Sequence, residues 1–126
     1  MTNRNQHGTY VHGEFRGTSS TGGNLTVYDQ EGTAVTATTA ERFEIWSCWA
    51  NSTATGDLIF WVDADNGNDA DVGEIVYRYQ NPANGGFSHS FGDNPWLSQE
   101  GTGLEVRVSG ASGTINAGFV GRLVEI

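Results

Sequence analysis

The stretch VDADNGNDADVGE, Val62 to Glu74, holds five carboxylates, two asparagines and two glycines in thirteen residues. Three chemistries suit such a run: a calcium loop, a catalytic carboxylate pair, or an acidic turn between strands. An EF-hand loop needs oxygen ligands at positions 1, 3 and 5, a glycine at 6 and a bidentate glutamate at 12. With Asp63 at position 1, Asp65 falls at 3 and Glu74 at 12, but Gly67 takes position 5 and Asn68 position 6. Frames starting at Asp65 or Asp69 put a glycine on a ligand position. A non-EF calcium set of Asp63, Asp65, Asp69 and Asp71 is the alternative. Acid/base catalysis needs one carboxyl with a raised pKa in a partly desolvated cleft, whereas Asp in a Gly/Asn loop is normally solvated. The run therefore reads as a surface hairpin loop turning at Asn66-Gly67, with no metal and no cofactor expected.

The other reactive types offer no constellation. His7, His12 and His89 lack the paired spacing of a metal site and are expected in solvent. Cys48 is the only cysteine, in an apolar segment, with His12 and His89 the nearest histidines in sequence. A thiol nucleophile needs an activating neighbour, so a buried structural thiol is expected, and one cysteine forms no internal disulfide. No G-x-S-x-G elbow and no phosphate-binding glycine loop occurs. No enzyme is predicted.

Six arginines and no lysine face fifteen Asp and Glu, a formal charge of −9, which repels nucleic acid and anionic membranes. The N-terminal MTNRNQHGTYVHGEF has no apolar core, so no signal peptide is predicted, and no window approaches a transmembrane span. Synthesis and folding in a cytoplasm are expected.

The elements that must position these residues are strands. Residues 1–22 are polar and end in GTSSTGG, which reads as an extended N-terminal arm; residues 23–126 read as the domain. There NLTVYD, TAVTAT, RFEIWSCWA, DLIFWVDA, EIVYRYQ, FSHSF, LEVRVSG and TINAGFVGRLVEI are strand-like runs between Gly, Asn and Asp breaks. No run carries helical spacing over three turns. Eight or nine short strands predict an all-β antiparallel sandwich or barrel.

Alternation assigns faces. Leu104, Val106 and Val108 share one parity, with Glu105 and Arg107 on the other. Leu58, Phe60 and Val62 share a parity, as do Phe43 and Ile45; Ile59 with Trp61, and Trp46 with Cys48, fall opposite them. Two strands apolar on both faces need cover on both. A neighbouring subunit, the N-terminal segment, a ligand or a loop of the same chain would supply it. Trp46, Ile59 and Trp61, with Tyr10 and Phe15 of the arm, are the candidate interface residues.

Two stretches, ERFEIWSCWANSTATGDLIFWVDADN and ANGGFSHSFGDNPWLSQEGTGLEVRVSGASGTINAGFVGRLVEI, carry a resemblance. The pattern is an apolar strand, a Gly-led strand ending in an Asp-rich loop, NGGF before a short strand, a Pro-aromatic turn and two closing strands. Over about two-thirds of the chain it resembles the small jelly-roll-like β-sandwich decoration proteins (cement, or head-stabilising, proteins) of tailed bacteriophages. The resemblance implies a structural virion protein on the outer capsid surface, with the major capsid protein as partner and a homotrimer at three-fold sites. The competing expectation is a carbohydrate-binding β-sandwich, or a head-fibre or tail receptor-binding part, with Trp46 and Trp61 as the stacking platform.

Overall fold

The computed structural model describes residues 9–17, 23–67, 69–101, 103–110 and 113–126. Ten strands are described: β1 (Thr9–Gly17), β2 (Gly23–Asn24), β3 (Thr26–Asp29), β4 (Glu41–Ser52), β5 (Gly56–Asp63), β6 (Ile75–Asn81), β7 (Gly85–Ser90), β8 (Trp96–Leu97), β9 (Glu105–Gly110) and β10 (Ile115–Glu125). Among the described residues one 3-10 turn, Val72–Glu74, precedes β6. Every strand pairing is antiparallel. One sheet runs β3-β1-β10-β4-β7, with β8 also on β4, and the other runs β2-β9-β5-β6. With β3 and β8 set aside, β1-β10-β4-β7 and β2-β9-β5-β6 form the two four-stranded layers of a jelly roll. The expected all-β sandwich is the observed fold.

The core lies between the layers and draws on both sets of alternating residues. Leu58, Phe60 and Val62 meet Val106 and Val108 in one sheet, and Phe43, Ile45, Phe119 and Leu123 line the other. Phe119 packs edge-on against both Phe43 and Phe60, with centroids 6.0 and 6.2 Å away, tying the layers together. At the open side Tyr77 of β6 stacks on Phe87 and His89 of β7, 4.6 Å from each. His89 is thus half-buried among aromatics rather than in solvent. His12 is exposed as expected, and His7 lies outside the described residues.

The N-terminal arm needs correction. Residues 9–17 form β1, which lies inside the larger sheet between β3 and β10 and pairs with β10 from Thr9↔Leu123 to Gly17↔Ile115. Val11 is buried, and Phe15 packs against the core instead of serving an interface. The pairing wins because β10 is a long central strand whose far edge would otherwise lack partners. Residues 1–8 and 18–22 of the expected arm lie outside the described residues. The expected strand TAVTAT is also absent, leaving only a bridge between Tyr28 and Ala34.

The face assignment of β4 needs a second correction. Val120 pairs with Ser47 and Gly121 with Ile45, so Trp46 is the extra residue of a β-bulge. The bulge shifts the side-chain phase by one. Phe43 and Ile45 face inward before it, Cys48 and Ala50 after it, and Trp46 is left outside. Cys48 is therefore core, and β4 is not apolar on both faces along its length.

Candidate functional site

Three features carry chemistry: the acidic loop, the buried thiol, and the outer face of the six-stranded sheet. The loop follows β5 and turns at Asn66, which adopts φ 56°. Asp65 accepts a hydrogen bond from the Gly67 amide at 2.8 Å, an Asx turn. Its base is not solvated as expected, since Asp63 and Glu74 are both buried. Glu74 closes the loop. Its Oε1 accepts from the Asp71 amide at 3.0 Å and its Oε2 from the Ala64 amide at 2.5 Å.

This closure brings carboxylates together. Oxygens of Asp63, Asp65 and Glu74 lie within 4.8 Å of one another, as do those of Asp65, Asp69 and Asp71. The first group holds positions 1, 3 and 12 of the EF-hand frame, the three that the sequence matches. Either group could offer three oxygen ligands to a hard divalent cation. The electrostatics reflect crowding. The Gly67 amide, then Asp71, hold the Asp65 carboxyl below its ordinary range, while the bond to Asp65 and the charge of Asp69 push Asp71 up.

The thiol is structural. The fold sets His89 opposite Cys48 in the β4–β7 register, yet burial alone moves the thiol, pushing it up to about 12. At pH 8 only about one molecule in ten thousand carries the thiolate that reacts. A thiol reagent added to the native protein at pH 8 is expected to leave Cys48 unmodified, and the same reagent in denaturant to label it fully. Rapid native labelling would mean a pKa lowered by His89.

The outer sheet face collects the exposed aromatics. Tyr28, His12 and Val120 form a row across β3, β1 and β10, with His12 stacked on Tyr28 at 5.7 Å. Tyr10, 46% exposed, meets the bulged Trp46 edge-on at 5.4 Å. Tyr10, Trp46 and Val120 border a shallow groove of about 310 Å³. Beside it, Glu44 accepts from Trp46 Nε1 at 2.7 Å and from Arg122 Nε at 2.9 Å. Burial pushes the Glu44 carboxyl up, but the bonds from Trp46 and Arg122 outweigh it and leave the carboxyl below its ordinary value.

Of the five interface candidates, the fold unites only Tyr10 and Trp46. Trp61 sits on the outer face of the smaller sheet but is 2% exposed. Its Nε1 donates to Ser109 Oγ at 3.0 Å, and the Arg107 guanidinium lies 5.4 Å from the ring centroid. Side chains of the same chain thus cover Trp61, which is neither a subunit contact nor a sugar platform. Ile59 is half-buried in that sheet between Arg78 and Ser109, and Phe15 belongs to the core. The residues missed in the sequence are Trp49 and Val120, both outward and exposed. Trp49 shares the outward parity of Asn51, a signal readable only once the bulge fixes the phase. No helix among the described residues is long and apolar enough to cross a membrane. No protein-family model, no curated protein and no solved structure matches the chain.

Proposed function

We propose that the protein is a non-catalytic structural module that coats a tailed-phage capsid, docking on the major capsid protein through the face around Tyr10, Trp46 and Val120. The observation that carries this reading is the exposed patch itself. Tyr10 and Val120 stand nearly half exposed beside Trp46 on the rigid central strands of a jelly roll. Contiguous apolar patches of this kind mark interaction surfaces, and aromatic residues anchor them. The resemblance to decoration proteins supplies the partner. The same patch would serve contacts between copies in a trimer on the capsid.

The test is co-sedimentation with shells assembled from the major capsid protein of the same genome. Wild-type protein is expected to pellet with the shells at saturable stoichiometry. Tyr10→Ser combined with Trp46→Ser is expected to stay in the supernatant while keeping wild-type circular dichroism. Wild-type protein that never pellets overturns the proposal, as does a double variant that pellets like wild type.

A further inference from the structure

The sandwich has two chemically different ends. Asp63 pairs with Glu105 and Glu41 with Glu125, so the acidic loop lies at one end. At the other, Ser52 pairs with Gly85 and Ile115, and Gly56 with Asn81, gathering the β4–β5, β6–β7 and β9–β10 connections. An open cavity of about 350 Å³ lies there, as shallow as the groove beside Tyr10, lined by residues 51–53 at the end of β4, by Asn84, Gly85 and Gly86, and by Thr114 and Asn116. Not one of the described lining residues is charged, in a chain with fifteen carboxylates. The volume falls in the range of small-molecule sites, about 300–1,000 Å³.

The walls are built rather than accidental. Asn81, buried, shares the two N–H donors of its Nδ2 among the carbonyls of Ser52, Ala54 and Pro82, 2.8–3.2 Å away, which joins the two loops flanking the cavity. Thr53 Oγ1 accepts from the Thr114 amide at 3.0 Å, and the Thr53 carbonyl from the Asn84 amide at 3.2 Å. Gly86 is required, since a Cβ there would lie 2.5 Å from the Ala50 carbonyl oxygen and 2.6 Å from Asn51 Cβ.

Outside the lining, two residues before the lining residue Asn51 on the same outward face of β4, stands Trp49, 39% exposed. Its indole leans across onto β10 because its register partner is Gly118. A Cβ there would come within 2.6–2.8 Å of Nε1, Cε2 and Cζ2 of the ring. Asn116 Nδ2 donates to Asn51 Oδ1 at 3.2 Å, which orients both carboxamides. Each amide keeps unused donor and acceptor capacity.

We infer that this end binds a neutral saccharide, with one sugar unit packed on Trp49 and the next held in the cavity by Asn51, Asn84 and Asn116. Paired carboxamides and threonine hydroxyls match the donor and acceptor pairs of vicinal sugar hydroxyls, and the indole matches the apolar face of a pyranose. A charged ligand finds no counter-charge here, and a phosphate would meet a net charge of −9. The inference does not rest on the capsid reading, because Tyr10 and Trp46 take no part in this site.

The test titrates cellobiose, maltose, lactose, mannobiose and diacetylchitobiose into the full chain, followed by calorimetry and by the indole N–H signals in NMR spectra. At least one disaccharide is expected to bind saturably at millimolar concentration or below, shifting the Trp49 indole signal. Trp49→Ala and, separately, Asn51→Ala, both exposed positions, are expected to weaken binding at least tenfold with the fold intact by circular dichroism. Trp46→Ser is expected to leave binding unchanged within twofold while losing capsid attachment. Absence of binding to all five disaccharides overturns the inference. So does binding that survives both Trp49→Ala and Asn51→Ala, or binding lost with Trp46→Ser.

Discussion

Deleting residues 1–17 is expected to abolish the folded state, whereas a deletion ending at residue 8 leaves every described strand in place. The longer deletion removes β1 from between β3 and β10, and with it nine register pairs to β10 alone. Each hydrogen bond in such a ladder contributes a net ~0.5–1.5 kcal/mol. Burial of a side chain like Val11 adds about 1.5–3 kcal/mol, and Phe119 and Leu123 on β10 lose their neighbours. The sum is on the order of 10 kcal/mol, comparable to the whole stability of a domain. The expected observation is the loss of a cooperative thermal transition and of near-ultraviolet circular dichroism. A shortened protein that still melts cooperatively within about 10 °C of the full chain would overturn the assignment of β1 as an integral strand.

The second large effect belongs to Glu74. Glu74→Ala leaves the Ala64 amide without its acceptor, while the Asp71 amide keeps the Asp69 carbonyl at 3.1 Å. Orphaning the part-buried Ala64 N–H costs about 1–3 kcal/mol. Removing a negative charge beside the buried Asp63 offsets part of this, because repulsion between carboxylates is screened less when they are buried than at the surface. The net loss is expected to be about 1–2 kcal/mol, a fall in Tm of roughly 4–10 °C. Glu74→Gln keeps one acceptor oxygen but turns an NH2 toward the other amide, so about half the loss is expected. Differential scanning calorimetry reads both. An alanine variant within 2 °C of wild type would show that the loop closes by other means.

What the sequence disclosed and what it hid divide along physical lines. Leu104, Val106 and Val108 point inward as their alternation requires, and so do Leu58, Phe60 and Val62, because an uninterrupted strand preserves its period of two. Trp46 breaks that period in β4, and a one-residue bulge leaves no mark in composition, so Cys48 was read on the wrong face. β1 was illegible for a different reason. Its inward parity reads Val11, Gly13, Phe15, and the middle position has no side chain of its own. The Phe119 ring from β10 lies over Gly13, where a Cβ would come 3.0 Å from Cδ1. The apolar group that makes β1 a core strand thus belongs to another part of the chain. The acidic loop was read correctly as a connection between strands, with Asn66 in the left-handed region. Its buried carboxylates were not foreseen, since the amides that hold Glu74 become available only when the turn has formed. For the outer face, Trp46 was found by its parity opposite Phe43 and Ile45, and Tyr10 by residue type. Trp49 was missed because its neighbours Gly118, Asn51 and Asn116 meet only across the β4–β10 ladder.

The placing of β1 beside β10 also fixes how the domain would respond to mechanical load. Thr9 and Leu123 are opposite one another, so the start of β1 and the end of β10 lie at the same end of the sheet. Tension applied between those two points peels the ladder one pair at a time, beginning at Thr9↔Leu123, instead of shearing nine pairs together. Peeling needs little force, because each step breaks a single pair. Anchored through the sheet face, with the load spread over β1, β10 and β4 at once, the same sandwich would be stiff; pulled by its ends, it would unzip.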